Sequence, residues 1–214
     1  MPPRRTPAPA VALLVRHGRT PTTGQVLPGR APGLHLSDEG RAQADTTAAR
    51  IAELKKRPAA VYASPLERAV ETSKPIAAAL GLRVRVERGL VECDFGAWTG
   101  AKLSTLRRRK EWHSVQALPS SFRFPDGESF MEMQARMAST LDKLAARHPG
   151  ETFVAVSHAD PIKAAVAATA GVPLDLMQRL IVSTCSVTAL VRGGTASAVL
   201  CVNSTASLAE LALS

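Results

Sequence analysis

Three largely apolar runs of strand length, Val11 to Val15, Ala59 to Ala63 and Phe153 to Ser157, end abruptly at polar residues, and each leads into a helical pattern. A strand that is apolar without alternation is covered on both faces, as in a parallel sheet flanked by helices. Strand and helix patterns alternate along the chain, so the expected fold is α/β: a three-layer α/β/α sandwich with a mainly parallel central sheet. At 214 residues and 45% hydrophobic content the chain can bury one sizeable core. The expected organisation is a disordered, Pro-rich leader over residues 1–9 and a single domain over residues 10–214.

Local signals place the helices. Ser37 to Leu54 carries Ala42, Ala48, Ile51, Ala52 and Leu54 at helical spacing, behind Ser37 as an N-cap type and with Asp38 and Glu39 in the first turn. Ser64 and Pro65 predict the N-cap and first position of a helix running to about Leu80, with Gly81 as its stop. A short strand is expected at Val84 to Val86, an irregular loop at Glu92 to Gly100, and helices at Lys102 to Val115 and Glu128 to His148. Asp160 and Pro161 read as N-cap and first residue of an Ala-rich helix ending before Gly171. Cys185 to Leu190 and Ala198 to Val202 read as a terminal hairpin turning at Arg192, Gly193 and Gly194.

The formal charge of +9 raises the question of nucleic acid. Part of the excess sits in the leader, and Arg107 to Lys110 lies beside Leu103, Leu106 and Trp112 at helical spacing, as a solvated helix face does. Nucleic acid is therefore disfavoured, and the positive balance is better suited to drawing in small anionic substrates. Cys93, Cys185 and Cys201 are odd in number, widely separated and without metal-ligand spacing, which argues for a reducing, cytoplasmic setting rather than a disulfide framework or a zinc site. No apolar run approaches the roughly 20 residues of a membrane span, so neither an anchor nor a signal peptide is expected.

In open α/β sheets, ligands bind at the carboxyl ends of the strands. Three predicted strands end in groups suited to phosphoryl transfer: Arg16-His17-Gly18, Ser64 to Arg68, and Ser157-His158. Such chemistry needs an unprotonated nucleophile, fixed positive charge for the transferring oxygens and an acid for the leaving group. His17 can donate from one ring nitrogen and attack through the other. Arg16 and Arg68 can grip phosphate oxygens bidentately, and a protonated His158 would add a donor.

These residues resemble the histidine phosphatase superfamily, the phosphoglycerate mutase-like proteins, from Leu13 to about Val191. Its Arg-His-Gly-x-Thr hallmark matches Arg16, His17, Gly18 and Thr20; a following pattern matches Gly29-Arg30 and then Leu36 to Ala44. Ser64 to Thr72 is similar to the second arginine motif, Leu90 to Gly100 to the acid-bearing loop, Gly127-Glu128-Ser129 to a later signature, and Val156-Ser157-His158 to the second histidine. The resemblance implies a phosphate pocket of Arg16, His17, Arg68 and His158 with His17 as nucleophile, further phosphate contacts from Thr20, Thr23 and Ala159, and Glu92 as proton donor and then base. Asp94 and Asp160 are rivals for the acid. Many members carry Asn where this chain has Thr23, whose hydroxyl can still donate, and Arg19 replaces a frequent Glu, making the mouth more basic.

The resemblance implies a metal-independent enzyme without cofactor, acting on a small phosphorylated metabolite; a homodimer is compatible with it. The Phe95 to Gly100 loop resembles the compact phosphatase branch more than the glycolytic mutases, so a phosphatase is expected, with a cofactor-primed phosphomutase as the alternative. A phosphoanion- or nucleic-acid-binding protein with a weak active site is a third reading, disfavoured because a binder has no need of Glu92. Trp112, Phe122 and Phe124 are candidates for either a leaving-group pocket or core packing, with packing favoured.

Overall fold

The computed structural model describes residues 7–193 and 197–206. Among these residues six strands form one sheet: β1 (Ala10–Arg16), β2 (Ala60–Ala63), β3 (Val84–Val86), β4 (Thr152–Ser157), β5 (Val187–Arg192) and β6 (Ala198–Ser204). Their order is β3-β2-β4-β1-β5-β6; β3, β2, β4 and β1 run parallel, while β5 is antiparallel to both β1 and β6. The helices are α1 (Asp38–Ala52), α2 (Glu67–Leu80), α3 (Leu103–Leu106), α4 (Glu111–Ala117), α5 (Phe130–Arg147) and α6 (Ala159–Ala170).

The alternation of side chains along a strand sorts the core into two layers. Val11, Leu13, Val15, Val61, Val154 and Val156 face α1 and α2, where Ala48, Ile51, Ala69 and Ile76 meet them. Ala12, Leu14, Tyr62, Phe153 and Ala155 face the opposite layer, made by Met137, Leu141 and Leu144 of α5 and Ile162, Ala165 and Val166 of α6. Both faces are covered, which is why β1, β2 and β4 read as unbroken apolar runs. A third core lies under the excursion from β3 to β4: Phe95, Trp98, Phe124 and Phe130 pack edge to face, with Trp112 and Phe122 against them. Trp112, Phe122 and Phe124 thus serve core packing. Among the described residues no helix is long and apolar enough to cross a membrane.

Several boundaries differ from expectation. The Ser37 hydroxyl does cap α1, accepting from the Gly40 N–H, but Ala42 faces solvent and Ala44 takes the buried position. α2 starts two residues later than Ser64-Pro65 suggested, with Leu66 at its N-cap; the Ser64 hydroxyl lies 2.8 Å from Nε2 of His158 and accepts from the Leu66 N–H at 3.4 Å. His158, not Asp160, occupies the N-cap of α6, leaving Asp160 and Pro161 within its first turn. The predicted helix at Lys102 to Val115 is broken into α3 and α4 by Arg107 to Lys110, where the Arg109 guanidinium lies 5.5 Å from the Trp98 ring centre. α5 begins after Ser129, whose capping box with Glu132 closes its first turn. β5 starts at Val187, two residues past Cys185, which adopts φ 55°. Gly193 follows β5, whereas Gly194 of the predicted turn, like positions 1–6 of the predicted leader, falls outside the described residues.

One close approach fixes the entry to the site. Gly18 and Gly40 meet backbone to backbone: a Cβ on Gly18 would overlap the Gly40 carbonyl, and one on Gly40 the Arg19 carbonyl. No flexible side chain there can yield, so Gly40→Ala is expected to destabilise the protein by about 1–3 kcal/mol, measured by urea denaturation.

Candidate active site

The site forms where three parallel strands end together. In the register of β1 and β4, Arg16 lies opposite Ser157, so His17 and His158 leave the sheet side by side; the His17 N–H donates to the Ser157 carbonyl at 3.0 Å. β2 ends beside β4, and the Ser64 N–H donates to the Val156 carbonyl at 2.9 Å. Arg68, the second residue of α2, is buried and reaches back to the same point.

His17 has a defined tautomer. Its Nδ1 lies 2.8 Å from the Gly18 carbonyl oxygen, which can only accept, so Nδ1 carries the proton and Nε2 carries the lone pair. Nε–H of Arg68 donates to that Nε2 at 3.3 Å, and Nη2–H of Arg68 donates to the Gly29 carbonyl at 2.8 Å. Burial, and then the charges of Arg68 and Arg16, hold the His17 pKa well below its ordinary value, so the ring is neutral near pH 7. The His158 ring centre is 5.1 Å away; its Nε2 is 2.8 Å from the Ser64 hydroxyl. His158 is likewise pushed toward the neutral form, by burial and then by Arg68, His17 and Arg16. The protonated His158 expected from the sequence is one held between phosphate oxygens, whose negative charge opposes this shift.

Three buried side-chain nitrogens of this cluster have no hydrogen-bond partner among the described residues: Nε of Arg16, Nη1 of Arg68 and Nδ1 of His158. Arg16 is oriented by its Nη1–H donating to the Val182 carbonyl at 2.7 Å. The two guanidinium N–H groups are buried donors without acceptors, which is costly, and an anion is the group that satisfies both at once; Nδ1 of His158 joins them when it carries a proton. Thr20 is buried, and its N–H donates to the Thr23 hydroxyl at 2.9 Å, with the two hydroxyls 3.0 Å apart. Thr23 thus shapes the turn while keeping a hydroxyl proton to donate. Ala159 is the first residue of α6, where backbone N–H groups have no intrahelical acceptor.

Glu92 is buried, and one carboxylate oxygen accepts from the Cys93 N–H at 2.9 Å. Burial first, then Asp160, push its pKa up to about 7 against the opposing pull of Arg68 and Arg16. Its rivals are otherwise employed. Asp94 accepts from the Gly96 N–H at 3.0 Å and pairs with Arg30 at 3.3 Å; Asp160 lies 3.7 Å from the Lys163 ammonium. Arg19 is exposed and pairs with Glu39 at 3.3 Å, which offsets the basic charge expected at the mouth. Sequence reasoning missed Ser64 as the partner of His158 and Arg136 behind the Glu92 segment. A strand-end serine gave the only available hint of the first, and the second had none, because Arg136 bonds to main-chain carbonyls.

A family profile described as the histidine phosphatase superfamily (branch 1) matches residues 12–205. The chain is 38% identical over 158 residues to "Bifunctional protein Rv2228c" of Mycobacterium tuberculosis, a match covering 72% of this chain but 43% of that protein, so it spans under half of that relative's length. It is 30% identical over 167 residues to phosphoserine phosphatase 1 of Hydrogenobacter thermophilus, covering 76% and 77% of the two. The solved mycobacterial glucosyl-3-phosphoglycerate phosphatase Rv2419c superposes with a TM-score of 0.79 at 25% identity, covering 92% of this chain and 99% of that one. With the profile spanning nearly the whole described fold, the chain belongs to the histidine phosphatase superfamily, branch 1.

Proposed function

We propose that this chain is a phosphomonoester hydrolase working through a phosphohistidine on His17. The observation that carries the proposal is the set of buried nitrogens of Arg16, Arg68 and His158, unpartnered among the described residues, around a neutral imidazole whose unprotonated Nε2 faces a guanidinium. In the first step Nε2 attacks phosphorus, the bond from phosphorus to the ester oxygen breaks, and Glu92 gives its proton to the departing oxygen. In the second, water attacks the phosphohistidine, Glu92 takes the proton, and the bond from phosphorus to nitrogen breaks. A carboxyl raised to about 7 suits both duties at neutral pH.

Arg16, Arg68 and His158 hold the transferring oxygens, with Thr20, Thr23 and the Ala159 N–H as further donors. No metal ion is assigned a role, because these side chains supply the positive charge and the acid. The substrate is a small phosphorylated metabolite, the class to which phosphoserine and glucosyl-3-phosphoglycerate, named for two relatives, belong. Three free cysteines suit a reducing cytoplasm.

The test is a panel of phosphomonoesters, phosphoglycerates included, assayed for inorganic phosphate with and without chelator and with and without a bisphosphate primer. Phosphate release that survives the chelator and needs no primer is the expected result. Release that requires a divalent cation, or no release from any ester, contradicts the proposal; primer-dependent movement of phosphate between hydroxyls assigns the chain to the mutases instead.

A further inference from the structure

The segment from Arg88 to Glu92 is irregular, a single 3-10 turn ending at Leu90 and then extended chain; the Val91 N–H returns to the Arg88 carbonyl at 3.2 Å, but the carbonyls of Gly89 to Glu92 need donors from elsewhere. Side chains supply them, one after another. Nη1–H of Arg136 donates to the Gly89 carbonyl at 2.8 Å and the Val91 carbonyl at 2.9 Å, and the Ser157 hydroxyl donates to the Leu90 carbonyl at 2.7 Å. The Glu92 carbonyl takes Nε–H of Arg30 at 2.8 Å and Nη2–H of Arg136 at 3.4 Å.

The two guanidiniums are themselves joined. Glu128, mostly buried, accepts from Arg136 through both oxygens at 2.8 and 2.9 Å and from Nη2–H of Arg30 at 2.9 Å. Arg136 lies two turns into α5, while Arg30 follows Gly29, whose carbonyl holds Arg68. One ion-paired unit therefore converges on the Glu92 carbonyl through two guanidiniums and is tied through one peptide to the arginine beside His17. Charge-assisted bonds of this kind are short and directional, and a planar guanidinium can hold two or three carbonyls in fixed relation.

We infer that Arg136, with Arg30 and through Glu128, is a positioning device for the general acid: it fixes the main chain of Glu92 so that its carboxyl reaches the leaving-group oxygen. This rests on the proposed role of Glu92. Arg136 is a positioning residue, since none of its contacts is to the nucleophile or to the phosphate-binding nitrogens. Misplacing a catalytic group by about 1 Å can cost about 100-fold, and the loss should depend on how much the leaving group needs a proton.

The experiment compares Arg136→Met, Arg30→Met and Glu92→Gln with the unaltered chain on 4-nitrophenyl phosphate, a good leaving group, and on a simple alkyl phosphate, a poor one. The quantity read is kcat/KM, which reports transfer to His17; the Kd of inorganic phosphate reports whether the Arg16, Arg68 and His158 pocket is intact. The expected result is a loss of about 10- to 100-fold on the alkyl ester for Arg136→Met, several-fold smaller on the aryl ester, with phosphate affinity within about 3-fold of the parent. Arg30→Met should show the same pattern more weakly and carries the test if Arg136→Met does not fold. Equal losses on both esters, or none, while Glu92→Gln discriminates between them, overturn the positioning role alone. A Glu92→Gln variant that fails to discriminate overturns the role of Glu92 and this inference with it.

Discussion

His17→Ala is expected to lower phosphomonoester turnover by at least about 10⁴-fold, because it removes the nucleophile and with it the covalent route. Whatever the arginines still contribute is binding and charge stabilisation. The substitution is expected to leave the fold in place. His17 makes one side-chain bond, to the neighbouring Gly18 carbonyl, and accepts one from Arg68, which keeps its second anchor on Gly29. A thermal melt close to that of the parent, together with lost turnover, separates chemistry from stability. Turnover within about 10-fold of the parent in a folded His17→Ala variant would remove the nucleophile from the mechanism.

Glu92→Gln should produce the second large loss, about 10²- to 10⁴-fold in kcat/KM on an alkyl phosphate, together with a changed pH profile. Transfer to His17 needs a neutral imidazole and a protonated Glu92. The imidazole pKa lies well below its ordinary value and that of Glu92 is about 7, so both requirements hold on the acid side of 7. As pH rises through about 7, Glu92 loses its proton and kcat/KM falls; glutamine cannot ionise, so the alkaline limb should vanish in the variant. The same shift has a consequence for stability. A carboxyl raised in the folded state binds more protons there than when unfolded, so its contribution is full below the unfolded value and fades as pH rises toward about 7. An alkaline limb that persists unchanged in Glu92→Gln would assign that ionisation to another group.

Much of this was legible in the residues, for identifiable reasons. β1, β2 and β4 are covered by helices on both faces, and their side chains leave no choice but continuous apolar runs. Arg16, His17, Arg68 and His158 could be placed together because each stands at a strand end or one turn beyond it, where α/β sheets gather ligands. What was not legible concerns residues serving the site rather than local structure. Ser64 looks like an N-cap, yet its hydroxyl serves His158, and α2 starts only at Glu67. Asp160 looks like one too, but β4 runs straight into α6 and leaves that position to His158. Arg107 to Lys110 has helical spacing, but there the chain bends around the aromatic cluster of Trp98 and Trp112. Arg136 left no pattern, since a guanidinium that binds carbonyls of a distant segment needs no particular neighbours in sequence.

The central claim is a covalent bond between His17 and phosphorus, and the most direct measurement is to trap it. The protein is mixed with a labelled phosphomonoester, quenched within milliseconds in denaturing base, and digested for mass spectrometry. A phosphoryl group on the peptide bearing His17, stable to base, released by acid and absent from His17→Ala, is the predicted result. Rapid turnover of the same ester with no phosphoryl group on any histidine at any quench time would contradict it.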